Sequence, residues 1–458
     1  MSKISKTRLN SPSTGVFIIL FLTFVFWILL TKDNYFHWDE WGIFSQFKEG
    51  PTFYLLHPLN EHYIPLSATI HYFLFRFFGL NYLPFQIVLI SLHTFNCYLL
   101  YRIVYRQTGD HFLATIGTIL FAIASTAAEN LVWSIGINIT LAGTFAFLAY
   151  YFFPKHPFLS CLALFFSPLS HDLSLLYPLP FALMAYLRNK NPLPYLAVSL
   201  VSIATLFYFS HENIYRSVSS QISFLLPNGF AFITAGVVRG VLIRFFMPNL
   251  NFFPNSASLI GLYFRPVIFV ILLIFALFFL YRIWQSPKKQ KYFALILFYL
   301  PLIIIPYIAI LPARVAQGSD QASIARYTYL PLFFLLVFLA DIIKLATLNR
   351  KIIYGFSLVL IALHLISTFN FQTRYWAPIV SHDKSFSRDM AYLFASTDII
   401  YNPKLIGING QMRPSDLWYF HLAQKKYLYT GTIPSPVTDM RTKEIFYRLA
   451  GDYQKKYD

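Results

Sequence analysis

The run Val16-Phe17-Ile18-Ile19-Leu20-Phe21-Leu22-Thr23-Phe24-Val25-Phe26-Trp27-Ile28-Leu29-Leu30, with Tyr35-Phe36-His37-Trp38-Asp39-Glu40-Trp41-Gly42 just after it, decides the fold. The first stretch is apolar enough to enter a bilayer as a helix. Lys3, Lys6 and Arg8 precede it as in a signal peptide, but the run is long for a signal and lacks a small-residue cleavage site. It therefore reads as an uncleaved first span. The second stretch places two adjacent carboxylates among aromatic residues at the point where the chain leaves the membrane.

Similar apolar runs recur along all but the last part of the chain. With 57% hydrophobic and 12% charged residues, the 458-residue sequence carries about half the charge of a soluble domain. Continuous rather than alternating apolarity excludes a β-barrel and leaves helices. Spans are expected near 16–30, 82–101, 112–128, 135–153, 157–170, 173–187, 193–209, 258–283, 292–311, 327–345 and 352–369, about eleven in all. A semi-polar helix is expected over 67–78. Residues 210–256, punctuated by Pro, Asn and Gly, read as a long loop with a basic amphipathic piece at Val237 to Phe246. Cys97 and Cys161 fall inside apolar runs, which argues for packing rather than a disulfide or a metal site.

The 36 Lys and Arg outnumber the 19 Asp and Glu, yet they gather in short linkers between alternate spans. That is the signature of cytoplasmic loops and not of a nucleic-acid binder. The amino terminus is then expected to be cytoplasmic and the carboxyl terminus extracytoplasmic. Eleven acidic residues precede residue 371, and this topology puts all but Asp110 and Asp341 on the outer face. Acids contribute little to orientation, so the skew points independently to an outer working face. From 371 to 458 the composition becomes that of a soluble domain, with strands and helices expected in a small mixed α/β outer region. No nucleotide-binding or zinc-protease motif occurs.

Four short constellations stand out on that outer face. Asp39 and Glu40 lie in the first outer loop, 32–66; adjacent residues point about 100° apart in a helix and oppositely in a strand, so they do different work. Solvated loop residues and an interfacial aromatic belt are the plain alternative. Asn60-Glu61-His62 sits between Pro58 and Pro65, which pin the backbone, and it could equally cap the next helix. Ser170-His171-Asp172 breaks an apolar stretch, where ionisable groups are costly unless used or paired, although Asp172 could simply cap a helix. Arg326-Tyr327-Thr328-Tyr329-Leu330-Pro331 opens a late span; its arginine suits a phosphate, or snorkels to the interface.

Together these motifs resemble the GT-C superfamily of polyprenyl-phosphate-sugar-dependent membrane glycosyltransferases, in particular its bacterial aminoarabinose-transferase and protein O-mannosyltransferase branch. His37-Trp38-Asp39-Glu40 resembles that family's acidic pair after span one. Asn60-Glu61-His62 is similar to an element further along the same loop, and Arg326 to Pro331 departs from an Arg-Tyr-Leu-Tyr-Leu-Pro-like entry only at Thr328. The similarity covers the order of features over 1–370 and does not extend to the tail. It implies an inverting transfer of a sugar from a polyprenyl-phosphate donor to a glycan, lipid or protein acceptor, with Asp39 as base and Glu40 beside it. Glu61, His62, His171, Asp172, Arg326 and Tyr327 would bind substrate. The family's second acidic metal motif is not evident, which leaves a divalent cation open, with His171 and Asp172, or Glu212, as stand-in ligands. The rival class is a transporter or lipid flippase, for which charges near the bilayer midplane and two related halves are expected.

Overall fold

The computed structural model describes residues 14–36, 40, 43, 53–58, 62–79, 81–248, 270, 281, 285, 287–346 and 349–381, without the side chains at 53, 54, 210–226 and 313. Among these residues the chain is helical almost throughout and forms no strand: it is an all-α, multi-pass membrane protein. The main helices are α1 (Thr14–Thr31), α2 (Pro65–Phe78), α3 (Tyr82–Thr108), α4 (His111–Ile123), α5 (Gly136–Phe152) and α6 (Pro157–Ser170). They are followed by α7 (Pro178–Leu187), α8 (Leu193–Thr234), α9 (Lys289–Arg314), α10 (Tyr329–Ala346) and α11 (Arg350–Asn370).

Local chemistry sets their ends. Asn81 accepts the Leu83 amide at 3.2 Å to start α3, and Gly109 stops that helix in the left-handed conformation that glycine adopts without strain. Asp110 then caps α4 through the amides of Phe112 and Leu113, and Asn349 caps α11 through Lys351. Arg350 reaches Asp110 at 2.9 Å, which ties the starts of α4 and α11 together.

Among the described residues six helices are long and apolar enough to cross a bilayer, and a seventh crossing results if the bent pair His111–Ile123 and Ser125–Val132 counts as one span. The runs expected as spans at 135–153, 157–170, 173–187 and 193–209 are shorter apolar helices. The first three end at polar turns or begin at prolines and fall below the roughly 20 residues that traverse the hydrocarbon, whereas the last is the apolar start of the 42-residue helix α8. The expected loop over 210–256 is corrected: helix runs unbroken from Leu193 through a π-helical segment, Ala235–Ile243, to Phe246. Pro227 lies inside it, and Pro227–Phe246 is one of the six long apolar segments. The punctuation residues failed as breakers because packing overrides weak local preference, with Gly236 set directly against the Tyr307 ring. The expected span at 258–283 and the mixed α/β tail fall outside the described residues, apart from 270 and 281. Helix continues past the expected boundary at 371 to residue 381.

The break in α4 organises one end of the bundle. Between Ile123 and Ser125 the axis turns by 43°, which frees backbone groups that cannot be left unbonded in an apolar setting. Their partners come from three other helices. Trp27 of α1 donates to the Ala122 carbonyl at 2.7 Å, His93 of α3 lies 3.2 Å from it, and Thr368 of α11 donates to the Ile123 carbonyl at 2.9 Å. The Ser125 amide meets His364 Nδ1 at 3.3 Å. Beneath the break, Phe147 stacks on Phe333 with centroids 3.4 Å apart, and the Tyr329 hydroxyl joins His93 and Asn96. The segment 124–135 is thereby held rigidly across the end of the core.

Candidate functional site

Four separate pieces of chain meet at this end. The first is the loop between α1 and α2, fastened where the Tyr63 hydroxyl donates to the Leu55 carbonyl at 2.7 Å and its ring stacks on Phe209. The second is the segment 124–135. The third is the turn between α6 and α7, tied to α2 because Ser67 Oγ donates to the Ser170 carbonyl at 2.9 Å. The fourth is the entry to α10, residues 325–328.

His62, His171 and Asp172, which lie 110 residues apart in sequence at the widest, form one cluster. Asp172 Oδ2 is 2.8 Å from His62 Nδ1, and Asp172 Oδ1 is 2.8 Å from His171 Nδ1. His171 Nδ1 also accepts the Leu173 amide at 3.2 Å, so His171, not Asp172, caps the short turn that follows. Burial disfavours charge on the Asp172 carboxyl, but the positive character of His62 and His171 outweighs it and holds the group well below the usual carboxylate range. Burial lowers the His171 value, Asp172 raises it, and the positive charges of His62 and Arg326 lower it further. The arrangement favours an ionised Asp172.

This cluster fits a cation. One ligand atom from each of the three residues can be chosen with all of them within 4.8 Å of one another. Asp172 Oδ1 is buried and makes no hydrogen bond, although the acceptor nitrogen of His171 lies against it. Two acceptors in contact favour a shared positive charge. Two imidazoles and a carboxylate suit a transition-series divalent ion better than Mg²⁺ or Ca²⁺, which prefer all-oxygen sets.

Arg326 stands on the neighbouring side. Its guanidinium lies 5.4 Å from the ring centres of both Trp133 and Tyr327, and 3.9 Å from Glu129 Oε1. The side chain keeps 26% of its exposure, so it is braced by two aromatic faces while still reachable from solvent. Tyr327 is buried and serves as one of those braces. Thr328, the one departure from the Arg-Tyr-Leu-Tyr-Leu-Pro-like pattern, is fully buried and donates to the Thr126 carbonyl and, at 2.6 Å, to that of Ala325. It stitches the α10 entry to the 124–135 segment.

Glu40 is placed differently from an exposed catalytic acid. It is fully buried and accepts hydrogen bonds from Trp133 Nε1 at 2.6 Å and Ser134 Oγ at 2.5 Å. It thus anchors the loop between α1 and α2 to the segment whose Trp133 also carries Arg326. Asp39 and Glu61 lie outside the described residues. The structure therefore brings together His62, His171, Asp172, Arg326 and Tyr327, and connects Glu40 to them through Trp133. Sequence reading passed over Trp133, Ser134 and His364. Nothing local marks them, because each acts on a partner at least 93 residues away. Comparisons with family models, with curated proteins and with solved structures found no match to this chain.

Proposed function

We propose that the chain is an inverting glycosyltransferase with a GT-C-like helical bundle, amino terminus in the cytoplasm, working at the outer face of a plasma membrane of bacterial type. The supporting observation is the convergence of His62, His171 and Asp172 with Arg326 at one end of the helical bundle. An anion receptor beside a cluster that can hold a cation suits a sugar carried on polyprenyl phosphate, whose phosphate is both the handle and the leaving group. Because the donor is already activated, no nucleotide is needed at that face.

In this reading the acceptor hydroxyl or amine attacks the anomeric carbon while the bond to the phosphate oxygen breaks on the opposite face. Asp39 takes the acceptor proton, and polyprenyl phosphate departs as the anion. Arg326 stabilises the charge growing on that phosphate, in a partly dehydrated site where such an interaction is strong. His62, His171 and Asp172 would hold the cation, which when bound supplies further positive charge to the phosphate. Glu40 positions the loop that carries Asp39.

The reading is tested with Asp39→Asn in membranes supplied with donor lipid. Normal insertion with lost transfer is expected, and full transfer by this variant would remove Asp39 as the base. Mass spectrometry of lipids co-purified with the wild-type protein should reveal a polyprenyl-linked sugar phosphate.

A further inference from the structure

The opposite end of the bundle holds a second polar site. Along the helical segment Ala325–Ala346, Arg326 and Lys344 are 18 residues apart, about 27 Å of helix, so the two sites are separated by roughly the hydrocarbon thickness of a bilayer. At the Lys344 end lies a cavity of about 480 Å³, open on one side. Its rim carries Arg188 from the end of α7, Lys288 and Lys291 from the start of α9, and Lys344 from the last turn of α10.

Basic residues beside apolar helices are common, and a rim of them alone would only describe a solvated membrane edge. The floor of this cavity is what sets it apart. Tyr150 and Tyr299 are both almost fully buried, and their hydroxyls are hydrogen-bonded to each other. Tyr299 donates on to Asp341 Oδ2 at 2.9 Å, and Gln107 donates to the Tyr150 hydroxyl at 2.5 Å. A carboxylate accepts several hydrogen bonds, so Asp341 retains capacity for donors arriving from the cavity. Charge on the rim and hydroxyl-binding groups on the floor call for a ligand with both features. The start of α9 adds to the rim: its first turn contains no acid and its N-cap is Lys288, so side-chain charge reinforces the positive end of the helix dipole instead of offsetting it.

We propose that this cavity binds a phosphate ester that bears free hydroxyls, with the phosphate held among Lys288, Lys291, Lys344 and Arg188 and a hydroxyl donated to Asp341. Two sources share that chemistry: a polyol-phosphate lipid headgroup and a soluble polyol phosphate. The site is independent of the transfer reaction proposed above, and its failure would leave that reading intact.

The full-length protein in detergent is titrated with short-chain phosphatidylglycerol, phosphatidic acid, phosphatidylcholine and glycerol 3-phosphate, and binding is followed by native mass spectrometry and thermal shift. Phosphatidylglycerol should bind more tightly than phosphatidylcholine. Lys291→Gln combined with Lys344→Gln should weaken it by roughly tenfold or more, because two of the four cations around the phosphate are lost. Asp341→Asn should keep phosphate binding and erase the preference for phosphatidylglycerol over phosphatidic acid, which lacks the headgroup hydroxyls. Response to glycerol 3-phosphate identifies a soluble source, and response to the lipid alone identifies a headgroup. Binding by neither ester, or equal binding by wild type and the double variant, overturns the proposal. The two lysines are exposed, so loss of binding with an unchanged melting temperature separates a site effect from misfolding.

Discussion

Replacing Glu40 separates an anchoring role from a catalytic one. Its carboxylate accepts from Trp133 Nε1 at 2.6 Å and Ser134 Oγ at 2.5 Å, with all three residues buried. A hydrogen bond to a charged group contributes about 1.5–3 kcal/mol net, and an orphaned buried donor costs a similar amount. Glu40→Ala removes both acceptors and leaves an indole N–H and a hydroxyl stranded, for an expected loss of about 3–5 kcal/mol. Glu40→Gln keeps an oxygen for Trp133, and its amide can donate to Ser134 Oγ, so only the charge assistance goes and the loss is about 1–2 kcal/mol. Extrapolating the size scaling of thermal unfolding to this chain gives on the order of 1–2 °C per kcal/mol. Intrinsic tryptophan fluorescence of the purified protein in detergent should therefore rank the midpoints wild type, Gln, Ala, with Ala lower by roughly 3–10 °C. Glu40→Gln should retain most of any transfer activity of the kind proposed above. An Ala variant that melts like wild type would show that the carboxylate is not held as described. A Gln variant that melts normally yet has lost all activity would make Glu40 a participant in the chemistry.

Other outcomes follow from the same geometry. Adding Zn²⁺ to metal-stripped protein should raise the melting midpoint, because a saturating ligand adds a few kcal/mol of stability, and Asp172→Asn should abolish the rise; an equal rise in that variant would place the ion elsewhere. Gly136→Ala puts a Cβ 1.8 Å from the Asn130 carbonyl oxygen, so it should disrupt the 124–135 segment and cost several kcal/mol, about 3–5. Gly117→Ala meets nothing within 4 Å and should be neutral or stabilise the helix by up to about 1 kcal/mol, as expression and melting of the pair would show. Thr328→Val keeps the shape but removes the donor to Thr126 and Ala325, for about 1–2 kcal/mol of stability. Arg326→Lys keeps the charge but not the flat stacking surface against Trp133 and Tyr327; weaker donor binding with unchanged melting is expected, and full donor affinity would argue against a phosphate role for Arg326.

What the sequence determined alone was the solvent and the class of fold. Apolar runs of membrane length, such as Val16 to Leu30, admit only helices where water is absent to satisfy the backbone. It also singled out Glu40, His62, His171, Asp172 and Arg326, because polar residues that interrupt apolar sequence are costly wherever they go. Periodicity and composition act over a few residues, however, and could not say which of these groups meet. Tertiary structure alone decided that His62 faces Asp172 across 110 residues, and that Glu40 is bonded to Trp133 rather than open to solvent. The same limit explains the misread loop after residue 210: Pro227 and Gly236 look like breakers until Tyr307 and Leu311 are packed against that helix. Local signals choose helix or turn, while the meeting of distant side chains depends on how the helices pack, which no short window of sequence contains.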